Sequence, residues 1–152
     1  MKKILLMSLM MSILLVSSVA MVMAVKPVDS PKTSHLYLYE KDPATWEIVD
    51  GAWGKVMYKD DSFVFNGHNL MVNTEYTLVS YCGWPNVEIL GTATTNNGGN
   101  VNLAGSMITC VSDAEDEEGH NVKIWLVESS DLTGNAFNSW SPEEYLFENN
   151  LI

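Results

Sequence analysis

Tyr76-Thr-Leu-Val-Ser-Tyr-Cys82, Gly83-Trp84-Pro85-Asn86, Val87-Glu-Ile-Leu-Gly-Thr-Ala-Thr94, Thr95-Asn-Asn-Gly-Gly-Asn100 and Val101-Asn-Leu-Ala-Gly-Ser106 follow one another without a break. Three strand-like runs alternate with two clusters of turn residues, a pattern that predicts a β-meander. In the first run Tyr76, Leu78 and Cys82 fall on one face and Val79 and Tyr81 on the other. Bulk on both faces predicts a strand interior to its sheet. In the last run Val101 and Leu103 alternate with Asn100, Asn102 and Ala104, predicting one dry face and one wet face.

The same grammar extends in both directions. Upstream, His35–Tyr39 alternates, Trp46–Val49 forms a short run closed by Asp50-Gly51, and Trp53–Lys59 resumes extended character. Phe63–Phe65 leads to Asn66-Gly67, where glycine tolerates the positive φ of a turn or bulge. Downstream, Asn121–Glu128 sets Val122, Ile124 and Leu126 against Lys123, Trp125 and Val127. Ser141-Pro-Glu-Glu144 has the form of a helix start, with Ser141 as cap and Pro142 at the first position. After the N-terminal apolar run no segment sustains a 3.6-residue period. The predicted fold is all-β: an antiparallel β-sandwich, immunoglobulin-like, of about seven to eight strands with one short C-terminal helical turn.

The chain opens Met1-Lys2-Lys3, then runs apolar from Ile4 to Val25 with only serines interrupting. A basic start, an apolar core and small residues such as Ala20 and Ala24 form the pattern of a secretory signal peptide. The predicted organisation is a signal peptide over 1–24, a short tether over 25–33 and a single domain over 34–152. The alternative is an uncleaved anchor, since the apolar run is long enough to span a bilayer. Either way the domain lies at the cell exterior.

Without Lys2 and Lys3, six lysines face 19 acids, a net charge of −13, and the chain has no arginine. Phosphate neutralisation drives nucleic-acid binding, so that class is excluded, as is an anionic membrane surface. The partners left open are an extracellular protein or a carbohydrate.

Cys82 and Cys110 are the two cysteines, an even count that in an exported chain predicts one disulfide, with two free thiols as the alternative. The densest charge is Asp113-Ala-Glu-Asp-Glu-Glu118. Asp113, Glu115, Asp116, Glu117 and Glu118 are hard oxygen donors of the kind Ca²⁺ takes, but the order lacks the mid-loop glycine and alternate spacing of the twelve-residue calcium loop. A solvated loop is the simpler reading. His35, His68 and His120 lack close zinc-ligand spacing. No Gly-x-Ser-x-Gly elbow is present, and no pair of carboxylates stands out, so no catalytic residue is assigned. Of the five tryptophans, Trp53 and Trp125 fit core or rim packing. Trp84, in a Gly-Trp-Pro turn, and Trp140, before Ser141-Pro142, are the candidates for exposed ligand-binding aromatics.

Lys41-Asp-Pro-x-x-Trp46, Asp50-Gly-Ala-Trp-Gly-Lys55, Phe63-Val-Phe-Asn-Gly-His68, Leu90-Gly-Thr-Ala, Lys123-Ile-Trp-Leu-Val127 and Tyr145-Leu-Phe-Glu148 together resemble a group of small exported β-rich proteins of methanogenic archaea and some bacteria. The resemblance runs from about His35 to the C-terminus and is carried by strand and turn residues. It implies a secreted β-rich domain and no catalytic residue. The expected function is non-catalytic, in extracellular binding or envelope structure. The alternatives are a secreted hydrolase and a calcium-stabilised surface module; no other cofactor is expected.

Overall fold

The computed structural model describes residues 32–110 and 119–152, which lie in one compact unit, Pro31–Ile152. The expected leader, most of the tether and the acidic run Asp113–Glu118 fall outside the described residues. Among the described residues no helix is long and apolar enough to cross a membrane.

Eight strands build one antiparallel sheet: β1 (Ser34–Lys41), β2 (Ile48–Lys59), β3 (Ser62–His68), β4 (Glu75–Tyr81), β5 (Val87–Thr94), β6 (Val101–Ser106), β7 (Lys123–Glu128) and β10 (Leu146–Glu148). The two-residue strands β8 (Leu132–Thr133) and β9 (Ala136–Phe137) form a separate hairpin. The order across the large sheet is β5-β4-β7-β10-β1-β2-β3-β6.

The all-β, antiparallel expectation is met. The finer, two-layered immunoglobulin-like arrangement is not confirmed, because the ladder runs through all eight strands as one sheet. The meander is corrected. β4 and β5 pair as a hairpin, but β6 pairs with β3 and not with β5. β5 and β6 are therefore the two edges of the sheet, joined by residues 95–100. So short a connection cannot cross an open eight-stranded sheet, because strands lie about 4.8 Å apart. The sheet curls until its edges lie alongside each other. A Cβ at Gly105 in β6 would sit 3.2 Å from the Leu90 carbonyl oxygen in β5. The result is nearly a barrel. Local strand and turn signals could not reveal this, since they carry no information on which strands pair.

The interior of the curl is the main core. Leu36 and Leu38, Val56, Phe63 and Phe65, Tyr76 and Leu78, Leu90, Val101 and Leu103, Ile124 and Leu126, and Leu146 give it side chains from every strand of the large sheet. β4 and β7 are apolar on both faces, as their sequences predict. Their outward Val79, Trp125 and Val127 join Val87, Phe137, Tyr145 and Phe147 in a second cluster. Residues 129–145, including the β8–β9 hairpin, contribute Phe137 and Tyr145 to that cluster.

β2 runs unbroken through Asp50-Gly51, where the sequence predicts a stop. The β1–β2 register shifts between Tyr39 and Lys41, and the Glu40 carboxylate accepts the Ala52 N–H at 2.9 Å. The irregularity is absorbed as a bulge. The C-terminal helical turn is present as a 3-10 turn over Pro142–Glu144, followed by β10. Ser141 offers no side-chain cap; its carbonyl accepts the Glu144 N–H instead.

Candidate functional site

Four of the five tryptophans line one cleft of about 580 Å³ on the outer side of the sheet. Trp125 and Phe147, from the adjacent strands β7 and β10, contribute the better-buried rings, with Tyr81, Trp46, Trp84 and Trp140 around them. The polar lining is Lys41, Lys123 and Glu148.

Each ring is held by a different device. Tyr81 stacks on Trp125 at 4.3 Å between centroids, and the Lys123 ammonium lies 5.4 Å from the Tyr81 centroid. Trp84 rides on the Gly83–Asn86 turn, closed by the Asn86 N–H to the Gly83 carbonyl at 2.7 Å. Gly83 has φ +102°, a conformation that favours glycine. The Trp84–Pro85 peptide is cis. Phe137 N–H donates to the Pro85 carbonyl and Val87 N–H to the Asn135 carbonyl, tying the turn to the β8–β9 hairpin. Trp84 then stacks on Phe137 at 5.4 Å and meets Trp140 edge-on at 5.8 Å.

The disulfide joins Cys82 to Cys110 at the root of this turn, with Cα atoms 5.3 Å apart. Ser80 braces the pair: its hydroxyl accepts the Cys110 N–H at 3.1 Å.

Trp140 is placed by Asp131, a buried carboxylate in a chain segment rich in Ser, Asn and Gly. The hydroxyls of Ser139 and Tyr145 donate to its two oxygens, and its carbonyl accepts the Asn138 N–H at 2.9 Å. Burial works to raise this carboxyl, but hydrogen bonds from Ser139, Tyr145 and Ser141 outweigh it and hold the group below the ordinary aspartate range. The same site pushes the Tyr145 phenol up, through burial first and then its bond to Asp131.

Trp46 is the ring that sequence reasoning misassigned. It does not begin a strand. It sits at φ +60° in the turn between β1 and β2, a region costly for a bulky side chain. Asp42 enforces the turn: its carboxylate accepts the Ala44 and Thr45 N–H groups at 2.7 and 3.1 Å, and its carbonyl accepts the Trp46 N–H. The indole packs edge-on against Phe147 at 5.2 Å yet remains 50% exposed. Trp84 is 58% and Trp140 40% exposed, so both predicted ligand-binding aromatics are open to solvent. Trp125 is only 8% exposed: packed, as its sequence suggests, yet also part of the cleft wall. Trp53 packs against His68 with tilted rings 4.5 Å apart and does not line the cleft.

Glu148 is the singular polar group. It is 9% exposed, and burial raises its carboxyl to about 7, against the lowering effects of its own backbone N–H, Lys41, Lys123 and Trp125. The Lys41 ammonium donates to the Glu148 carbonyl at 2.9 Å. The Trp125 indole N–H faces the Glu148 carboxylate and favours its ionised form, yet Trp125 Nε1 and Glu148 Oε2, both buried from solvent, stop short of a well-formed hydrogen bond. A buried donor and a buried acceptor thus face each other in one cleft wall.

Lys41 and Glu148 are 107 positions apart, so no spacing motif connects them. The available signal was an acid closing the apolar run Tyr145-Leu-Phe-Glu148. Among the described residues no group of three His, Cys, Asp or Glu could hold a metal. His68 is instead hydrogen-bonded through Nδ1 to the Asn100 side chain at 2.9 Å. Comparison with family models, curated proteins and solved structures returned no match to this chain.

Proposed function

We propose that this protein is an exported, non-catalytic carbohydrate-binding domain and that the tryptophan cleft is its binding site. The observation that carries the reading is the convergence of Trp46, Trp84, Trp125 and Trp140 on one cleft, three of them 40–58% exposed. Large exposed indoles are costly to keep in water unless something covers them. A sugar ring has a flat C–H face for stacking and hydroxyls at its edge. Support for export comes from the basic, apolar, small-residue order of the first 24 residues and from the resemblance to exported β-rich proteins. The scaffold fits the sandwich reading in one respect: the curled sheet sets its two halves face to face across the main core.

A secreted hydrolase is the second reading, favoured by Glu148 alone. A buried carboxyl near 7 is poised to donate a proton. Glycoside hydrolysis ordinarily needs a second carboxylate facing the first, and among the described residues lining the cleft Glu148 is the only acid. Calcium stabilisation through Asp113–Glu118 is a third, separate reading. It fails if melting with chelator matches melting with excess Ca²⁺.

The test of the main reading is calorimetric titration of the chain with a panel of soluble oligosaccharides. Binding is expected for at least one, without release of reducing sugar. Trp84→Ala should weaken it at least about tenfold, roughly 1.4 kcal/mol, with the melting temperature little changed. Equal affinity for Trp84→Ala and the parent chain would remove the cleft from the account.

A further inference from the structure

The cleft's charge runs against that of the chain. The protein carries a net charge of −11, yet two of its eight lysines, Lys41 and Lys123, line this one cleft. Among the described residues the only acid beside them is Glu148, a buried carboxyl. Neither lysine is consumed by its protein contacts. Lys41 gives one of an ammonium's three donors to the Glu148 carbonyl, and Lys123 lies over the Tyr81 ring. A cationic ligand would meet two like charges against aromatic walls, where screening by water is reduced.

We infer that the ligand is an acidic saccharide, a sugar ring bearing a carboxylate or sulfate group, whose C–H face stacks on the tryptophans and whose anion is held between Lys41 and Lys123. This rests on the carbohydrate reading above. The negative remainder of the surface then acts as a filter. It repels polyanions in general, so an acidic chain gains only where its anion reaches the two lysines.

The test is titration with three oligosaccharides matched in length and linkage: one neutral, one uronic and one sulfated. At low salt at least one acidic oligomer should bind roughly tenfold tighter than the neutral one, and the gap should shrink at high salt. The Lys41→Met, Lys123→Met double variant should lose that preference while still binding the neutral oligomer. The uronic and sulfated arms identify which anion is recognised. The salt series on the unaltered chain stands by itself if the double variant folds poorly. Neutral binding equal to or tighter than acidic binding overturns the inference and leaves the carbohydrate reading intact. No binding by any of the three overturns both.

Discussion

Glu148 places a pH-dependent cost inside the fold. Its carboxyl sits at about 7 in the folded chain and near the ordinary 4.5 when unfolded. Between those values the unfolded state is ionised while the folded state keeps its proton. Folding therefore binds a proton, and the stability this gives is present below the window and lost as pH rises through 7. The span corresponds to on the order of 3 kcal/mol. Glu148→Gln should melt with a flatter pH profile and should gain on the parent chain as pH rises from 4.5 to above 7. Parallel profiles for the two chains would mean that the carboxyl is solvated. Trp125 and Trp84 separate packing from binding at the same scale. Trp125→Ala empties a buried position and should cost about 3–5 kcal/mol of stability, whereas Trp84→Ala should leave stability nearly unchanged. Chemical denaturation of both variants checks the contrast. Sequence alone exposed Trp84 and Trp140 through their turn contexts. It hid Trp46, because a tryptophan before Glu-Ile-Val reads as strand, and the positive φ is imposed by Asp42 from outside that run.

At the scale of elements, the segment from Ser129 to Tyr145 converts a sheet face into a cleft wall. Its first part, Ser129–Trp140, is rich in Ser, Asn and Gly and reads as loop, and its only strands are two residues long. Beside its backbone ties to the Trp84 turn, one buried carboxylate, Asp131, holds it together through Ser139 and Tyr145. Asp131→Ala leaves the buried Tyr145 hydroxyl without its acceptor and frees residues 138–141. About 2–4 kcal/mol of stability should go with it, and saccharide affinity should fall because Trp140 loses its anchor. Urea denaturation gives the first quantity and titration the second. Unchanged stability would show that Asp131 does not order the segment. Its depressed carboxyl adds a sign: this contribution is present above the ordinary aspartate pKa and lost as pH falls through the lower folded value. Strand existence and facing were legible because alternation is local. The faces read in β4 and β7 are the faces that pack, with Leu78, Ile124 and Leu126 inward and Val79, Trp125 and Val127 outward. Pairing was not legible. The Asn96–Asn100 turn signal is real, closing with the Gly99 N–H on the Asn96 carbonyl, but it joins two sheet edges and not two hydrogen-bonded neighbours.

At the scale of the whole molecule, a curled sheet with neighbouring edges carries the Cys82–Cys110 bridge just past the end of β4, at the root of the Trp84 turn. The bridge closes 28 positions of chain, worth about 3.5 kcal/mol in the chain-entropy account. Reduction, or replacement of both cysteines by serine, should lower stability by about that amount and loosen Trp84. The mass should be unchanged after alkylation in denaturant without reductant; two added alkyl groups would contradict the bridge. The central claim is that four tryptophans act together as one binding site and the fifth does not. The most direct test follows the five indole N–H signals by two-dimensional NMR during titration with the acidic oligosaccharide. The signals of Trp46, Trp84, Trp125 and Trp140 should shift together along one saturation curve, while Trp53 beside His68 stays in place. Five unmoved signals at saturating ligand, or a shift confined to Trp53, would contradict it.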